Sequence, residues 1–262
     1  MAGGAILLYL AATILLSLRP RDTLPAPRHW ALALSSGGAL CHALFLKHIL
    51  FTSGGIDLSF FSTAALVSLL IVLLFLLTAV GKPIDKLGIA VLPLAVVTLL
   101  FRLAFPHEVH ILGHLPLGLQ IHILISILAF SLLNIAALQA GLLACQDWQL
   151  HHKRTGWFVR SLPPLQTMES LLFQMIGAGF VLLNLSLITG FLFVEDLFAQ
   201  HLVHKTVLSI LSWGVFGLLL WGRWHYGWRG KTAIRWTLGG FATLLLAYFG
   251  SKLVLELILR RG

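Results

Sequence analysis

A chain of 262 residues that is 58% hydrophobic and only 10% charged cannot hide its apolar surface in one water-soluble core, because soluble domains carry about 25% charged residues. The composition excludes a soluble enzyme and predicts an integral membrane protein. The formal net charge of +9 acts in such a chain mainly on orientation, so no nucleic-acid partner is read from it.

Taken in order, the apolar runs fall at roughly 2–18, 30–51, 59–80, 87–105, 118–145, 170–194, 204–224 and 232–258, each long enough to cross about 30 Å of hydrocarbon. Before the first run stands no basic residue, and basic residues follow it, which is not the usual form of a cleavable leader. Polar and turn-forming stretches separate the runs: RPRDTLPAPR, TSGGID, GKPIDK, PHEVHILGHLP, QDWQLHHKRTGWFVRSLPPLQ, EDLFAQ and RWHYGWRGK. These lengths and breaks predict an all-α polytopic bundle of about eight transmembrane helices, one membrane domain over 1–262 with the lipid bilayer as its partner. A β-barrel would show short alternating strands instead. Cys41 and Cys145 lie in apolar segments with no CxxC or CxxCH, so neither a zinc knuckle nor covalent haem attachment is indicated.

Lys and Arg set the orientation. With the N-terminus outside, the inner loops hold Arg19, Arg21, Arg28, Lys82, Lys86, Lys153, Arg154, Arg160, Arg223, Arg229, Lys231 and Arg235. The outer side holds Lys47, Arg102, Lys205, Lys252, Arg260 and Arg261. Twelve against six predicts both termini outside a bacterial inner membrane. Lys47, Arg102, Lys205 and Lys252 sit in the last turns of apolar spans. There they either snorkel to the interface or form a ring of cations for an anionic ligand. The fifth and sixth spans carry small residues, Ala136, Ala137, Ala140 and Gly141, then Gly177, Gly179, Ser186 and Gly190. Such residues let membrane helices approach closely. Asn134, Gln139 and Asn184 are amides placed to hydrogen-bond between helices.

Histidine is the residue that can carry chemistry, and twelve are many for so apolar a chain. His29, His151 and His152 lie in inner basic loops. His107, His110 and His114 share one outer loop at spacings of three and four, which suits a metal ion or plain solvation. His48 and His201 lie near interfaces. His42, His122, His204 and His225 lie in or at the ends of spans, where an ionisable residue is a functional candidate by default. No cluster of three or four zinc ligands is visible in the spans. A haem needs only one or two histidines. His204 and His225 are 21 residues apart, about 31 Å along a straight helix, so they cannot hold the same iron. His122 and His204 both begin their spans on the outer side. His42 is about 13 Å below the outer end of its own. One outer site can therefore use His122 with His204 or His42, and an inner one needs His225. Arg102 and Lys252 are placed to meet propionates.

The stretches IHILISILAFSLLNIAALQ around His122, HKTVLSILSWGVFGLLLWGRWHYGWRG and LLLAYFGSK, with GWRG at 227–230 and Tyr-Phe-Gly at 248–250, carry a resemblance. The chain resembles the cytochrome c assembly protein family (CcsA, ResC and CcmC), and within it the YpjD-like inner-membrane subgroup. By that resemblance His122 matches the family's first outer haem ligand, and His42 stands where a histidine within the membrane is expected. The family's late histidine in the seventh span aligns with Trp221, with His225 one turn further on. The family's Trp-Asp-Pro pattern does not occur in this sequence, His204 stands about where its aspartate would be, and its last outer histidine falls near Leu259.

The resemblance implies a protein that binds or handles haem b as an accessory to cytochrome c biogenesis, with other biogenesis proteins as partners. Two other functions use the same residues: a transporter or transport regulator with intramembrane histidines, or a membrane b-type cytochrome passing electrons. No carboxylate pair, nucleophile–base set or phosphate loop marks the chain as an enzyme on its own.

Overall fold

A computed structural model describes residues 1–18, 26–52, 55–57, 59–81, 84–105, 111–112, 116–153, 162–194 and 203–250. They fold into helices α1 (Ala2–Leu18), α2 (Ala26–Leu50), α3 (Phe60–Gly81), α4 (Gly88–Ala104), α5 (Leu117–His151), α6 (Leu165–Phe193), α7 (Val203–Tyr226) and α8 (Gly230–Leu245). A 3-10 turn, Asp85–Leu87, leads into α4, and a π-helical turn, Leu246–Gly250, follows α8. Six of these helical stretches, Arg28–Leu50 through Val203–Tyr226, are long and apolar enough to cross a membrane, and Ala2–Leu18 is apolar but shorter. The all-α membrane bundle expected from the hydropathy pattern is thus the observed architecture. The end of the expected eighth span, from 251 on, lies outside the described residues.

Helix ends differ from the expected ones for local reasons. α5 runs past 145 to His151 because Gln146–His151 contains no Gly or Pro. Bonds to the preceding turn support the extension, with Gln149 Nε2 3.4 Å from Cys145 Sγ and His151 Nδ1 3.4 Å from Asp147 Oδ1. The helix stops before Lys153, whose φ of 53° is left-handed. α6 starts at Leu165, directly after Pro163 and Pro164, a proline position that suits a helix start. A small antiparallel sheet was not expected: β1 (Phe51–Thr52), β2 (Gly55–Asp57) and β3 (Ile111–Leu112) pair in that order. Phe51 faces Ile56, Thr52 faces Gly55 and Ile56 faces Leu112. The third strand comes from a distant loop, which no local pattern reveals.

The chain divides into two compact units, Met1–Gly113 with Cys145–Thr167, and His114–Ala144 with Met168–Gly262. In the first, α1 packs on α2 and α4, and α3 on α2 and α4, around the fully buried Tyr9, Leu16, Phe75, Leu92 and Leu99. Two basic side chains close helix ends there. Lys86 Nζ donates to the Leu16 carbonyl at 2.7 Å, and Arg28 Nη2 donates to the Ala79 carbonyl at 2.5 Å while its Nε pairs with Asp85 at 3.1 Å. Both carbonyls belong to last turns, which lack helical donors and carry the negative end of the dipole.

In the second unit, α5 and α6 meet where the small-residue stripe predicts. A Cβ on Gly179 would stand 2.7 Å from Leu133 Cδ2, whereas Gly141 and Gly177 face open space. The amides bond across helices as expected at two positions. Gln139 Nε2 donates to the Met168 carbonyl at 3.2 Å, and Asn184 Oδ1 accepts from Trp213 Nε1 of α7 at 2.9 Å. α7 and α8 are joined by Ser212 Oγ donating to the Gly240 carbonyl at 2.8 Å. Between them the chain reverses through Gly227 (φ 66°) and Gly230 (φ 52°), conformations that glycine adopts without steric cost. Trp228 sits in this turn, lies on Gly222 and stacks on Trp236 at 5.5 Å.

Candidate functional site

His122 lies in the second turn of α5, half-buried, with its ring seated on the backbone of α6. A Cβ on Gly190 would come within 2.9 Å of His122 Cε1, so only glycine leaves room for the imidazole. Nδ1 is 3.1 Å from Thr189 Oγ1. Nε2 is 3.5 Å from Ser126 Oγ, the outer limit of a hydrogen bond. Ser126 is engaged more strongly elsewhere, 2.6 Å from Ser186 Oγ, and its hydroxyl also interacts with that of Tyr248. One turn further along α5, Phe130 packs against Tyr248 (ring centroids 4.7 Å apart), Phe249 and Phe241 (each 5.6 Å). Tyr248 sits in the π-helical turn, a local irregularity often found at functional sites. Thus α5, α6 and the end of α8 together form a hydroxyl-lined seam with an aromatic wall, and His122 stands at the end nearest the start of α5.

His42 belongs to the first unit. It is fully buried in α2, its Nδ1 3.4 Å from the hydroxyl of Tyr9 in α1 and the two rings edge to face. Its Nε2 is buried without a hydrogen-bond partner among the described residues. The helices approach closely here because Gly38 has no side chain: a Cβ would stand 2.7 Å from the Tyr9 ring.

The other expected site residues are placed as follows. His204 is exposed at the start of α7. His225 is exposed at its far end, its Nδ1 3.3 Å from the Trp221 carbonyl and its ring 4.8 Å from the exposed Trp221 indole. Arg102 is half-buried near the end of α4 and donates from Nε to Ser62 Oγ at 3.0 Å. Lys252, and the loop histidines His107, His110 and His114, lie outside the described residues. Among the described residues no group of three or more His, Cys, Asp and Glu side chains is placed to hold a bare metal ion.

Thr189, Ser126 and Tyr9 are site residues that sequence reasoning did not single out, and Tyr248 stood out only as part of the Tyr-Phe-Gly that carries the family resemblance. Ser126 is four residues from His122 and so shares its helix face, a signal that was available. Ser186 and Gly190 already stood out as small residues, though only for packing. Tyr9 and Thr189 lie in other helices, so nothing local links them to their histidines.

Three comparisons with known proteins bear on this arrangement. A family model described as "Cytochrome C assembly protein" matches residues 30–259. The inner membrane protein YpjD of Escherichia coli (strain K12) is 36% identical over 223 residues, covering 84% of this chain and 84% of that protein. A 28.8 kDa protein of Azospirillum brasilense is 34% identical over 143 residues, 54% of this chain and 53% of its own length. The cytochrome c biogenesis protein CcsA of Gloeobacter violaceus is 25% identical over 87 residues, 32% of this chain and 26% of that protein. No solved structure matches the chain.

Proposed function

The chain belongs to the cytochrome C assembly protein family, and from that premise we propose that it is a haem-handling protein of the bacterial inner membrane, accessory to cytochrome c biogenesis. In this reading His122, in the second unit, would ligate the iron of a b-type haem. The observation that carries it is the setting of the His122 ring. One nitrogen is held at 3.1 Å by Thr189, the ring is clamped by the Gly190 notch, and the side-chain contact at the other nitrogen is a long one, 3.5 Å from Ser126 Oγ.

An axial position on haem iron takes a neutral imidazole nitrogen with an available lone pair, and His122 fits that requirement. The aromatic wall of Phe130, Tyr248 and Phe249 supplies an apolar surface for a macrocycle. His204 is the second ligand by its depth at the start of α7. When bound, haem supplies an iron centre whose electronic properties the axial ligands tune. The chain's own part is to orient the imidazole, shield the ring and keep the hydroxyl seam dry.

The test is purification of the wild type, His122→Ala, His204→Ala and His42→Ala in detergent, with haem added, followed by Soret absorbance and the pyridine haemochrome. Loss of most bound haem in His122→Ala is the expected result. Equal occupancy and an unchanged spectrum in that variant would overturn the assignment. A second reading rests on the buried, unpartnered Nε2 of His42: loss of haem confined to His42→Ala would move the site into the first unit. A wild type with no Soret band even after haem addition would leave transport as the function of these histidines.

A further inference from the structure

We propose that Thr189 is a positioning residue that decides which nitrogen of His122 is free for a ligand. The inference deepens the haem reading, and it rests on that reading only for what the free nitrogen binds.

A neutral imidazole has one N–H and one lone pair, and the partner of one nitrogen decides where the proton sits. A threonine hydroxyl has a single hydrogen. Thr189 Oγ1 lies 2.8 Å from the Leu185 carbonyl and 3.1 Å from the Ser186 carbonyl. Those carbonyls only accept, so the hydroxyl hydrogen is committed to them, as is common for threonine inside a helix. What Thr189 turns to His122 is therefore a lone pair, 3.1 Å from Nδ1. Two lone pairs do not face each other at that distance, so Nδ1 must carry the proton and donate. Nε2 is left as the acceptor. This tautomer is the less common one for imidazole in water, so its presence has to be imposed.

Three further contacts bear on the inference. The Ser186 carbonyl also accepts from the His122 ring, and the Thr189→Val comparison below separates its effect from that of the threonine. Ser126 is the competitor at Nε2. At 3.5 Å it is a weak donor, while its 2.6 Å contact with Ser186 is short. It can cover the lone pair loosely and give it up to a ligand. Gly190 fixes the ring from the other side, since a Cβ there would strike Cε1. The sequence Thr189-Gly190 thus does two jobs on adjacent positions of α6: one residue sets the tautomer and the next sets the ring position. A hydrogen bond behind a ligating histidine is the general way proteins orient such a ring and raise its basicity, and its loss typically weakens binding about 10–100-fold.

The test uses the full chain with 15N-labelled histidine in detergent or nanodiscs, without haem. The His122 signals are assigned by their loss in His122→Gln. Two-bond proton–nitrogen correlations then report the tautomer directly. The expected result is an Nδ1-protonated ring in the wild type and in Thr189→Ser, and a shift toward the Nε2-protonated ring in Thr189→Val. A wild-type ring protonated at Nε2, or a Thr189→Val ring unchanged from wild type, would overturn the proposal. Haem titration is the second arm. Thr189→Val is expected to bind haem at least about tenfold more weakly than Thr189→Ser. If His122→Gln binds haem like the wild type, the haem assignment fails, while the tautomer result still decides the role of Thr189.

Discussion

At the scale of single residues, the His42 imidazole is a costly group of the first unit, with one nitrogen 3.4 Å from the Tyr9 hydroxyl and the other unpartnered among the described residues. A buried polar atom without a partner is penalised by its full desolvation cost. Deleting the one partner His42 has should therefore destabilise the fold, whereas deleting the imidazole itself need not. Tyr9→Phe is expected to lower stability by about 0.5–2 kcal/mol, the range of hydrogen bonds between membrane helices, and His42→Leu by less or not at all. Thermal unfolding of each variant in the same detergent measures both. A His42→Leu loss larger than that of Tyr9→Phe would show that the imidazole is satisfied by something else. Sequence alone points to His42, because a histidine within an apolar span stands out, and to His122, which opens one. It does not point to Tyr9 or Thr189, which lie 33 and 67 residues away and are ordinary side chains until the helices pack.

At the scale of elements, helix α6 carries a paired test of the packing argument. Gly177 and Gly179 both belong to the small-residue stripe read from the sequence, yet only Gly179 is pressed against Leu133. Gly177→Ala gains helix propensity of up to about 1 kcal/mol with nothing to strike. Gly179→Ala gains the same propensity but overpacks against a fully buried leucine, at a cost of about 1–3 kcal/mol. The first substitution is expected to raise the melting temperature and the second to lower it. The same sign for both would mean that α5 and α6 are not this close. A second element-level device ties α6 to the end of α7. Arg223 Nη1 donates to Glu169 Oε1 at 2.9 Å and to the Trp228 carbonyl at 3.1 Å, and the guanidinium covers the Phe173 ring at 4.6 Å. Removing either charge leaves the other half-buried and unpaired. Arg223→Gln and Glu169→Gln should therefore be non-additive, with a coupling of about 1 kcal/mol in a double-mutant cycle. Additive losses would mean that the pair contributes nothing. Helix existence was legible from hydropathy, and the close approach of α5 and α6 from their small residues. Which glycine of the stripe makes the contact was not, because that depends on the rotation of α6 about its axis.

At the scale of the whole molecule, the open quantity is which side of the membrane each end of the bundle faces. The Lys and Arg asymmetry, twelve against six, predicts that the segment after His151 is inside and both termini are outside. The first unit supports one part of this on independent grounds. Lys86 closes the end of α1, and Arg28 at the start of α2 reaches both Asp85 and the last turn of α3. The α1–α2 and α3–α4 connections therefore share one face, as the charge count requires of two inner loops. Phosphatase fusions are expected to be inactive when joined after Lys153 or Gly227 and active when joined after Gly113 or Gly262, with the reverse pattern for a cytoplasmic fluorescent reporter. His122 and His204 would then both open on the outer side. Phosphatase activity after Lys153 would invert the molecule and turn those two histidines toward the cytoplasm. Replacing Lys82, Lys153, Arg154 and Arg160 by glutamine should weaken the bias and yield mixed orientations. If those replacements leave the fusion pattern unchanged, the inner basic residues do not set the topology.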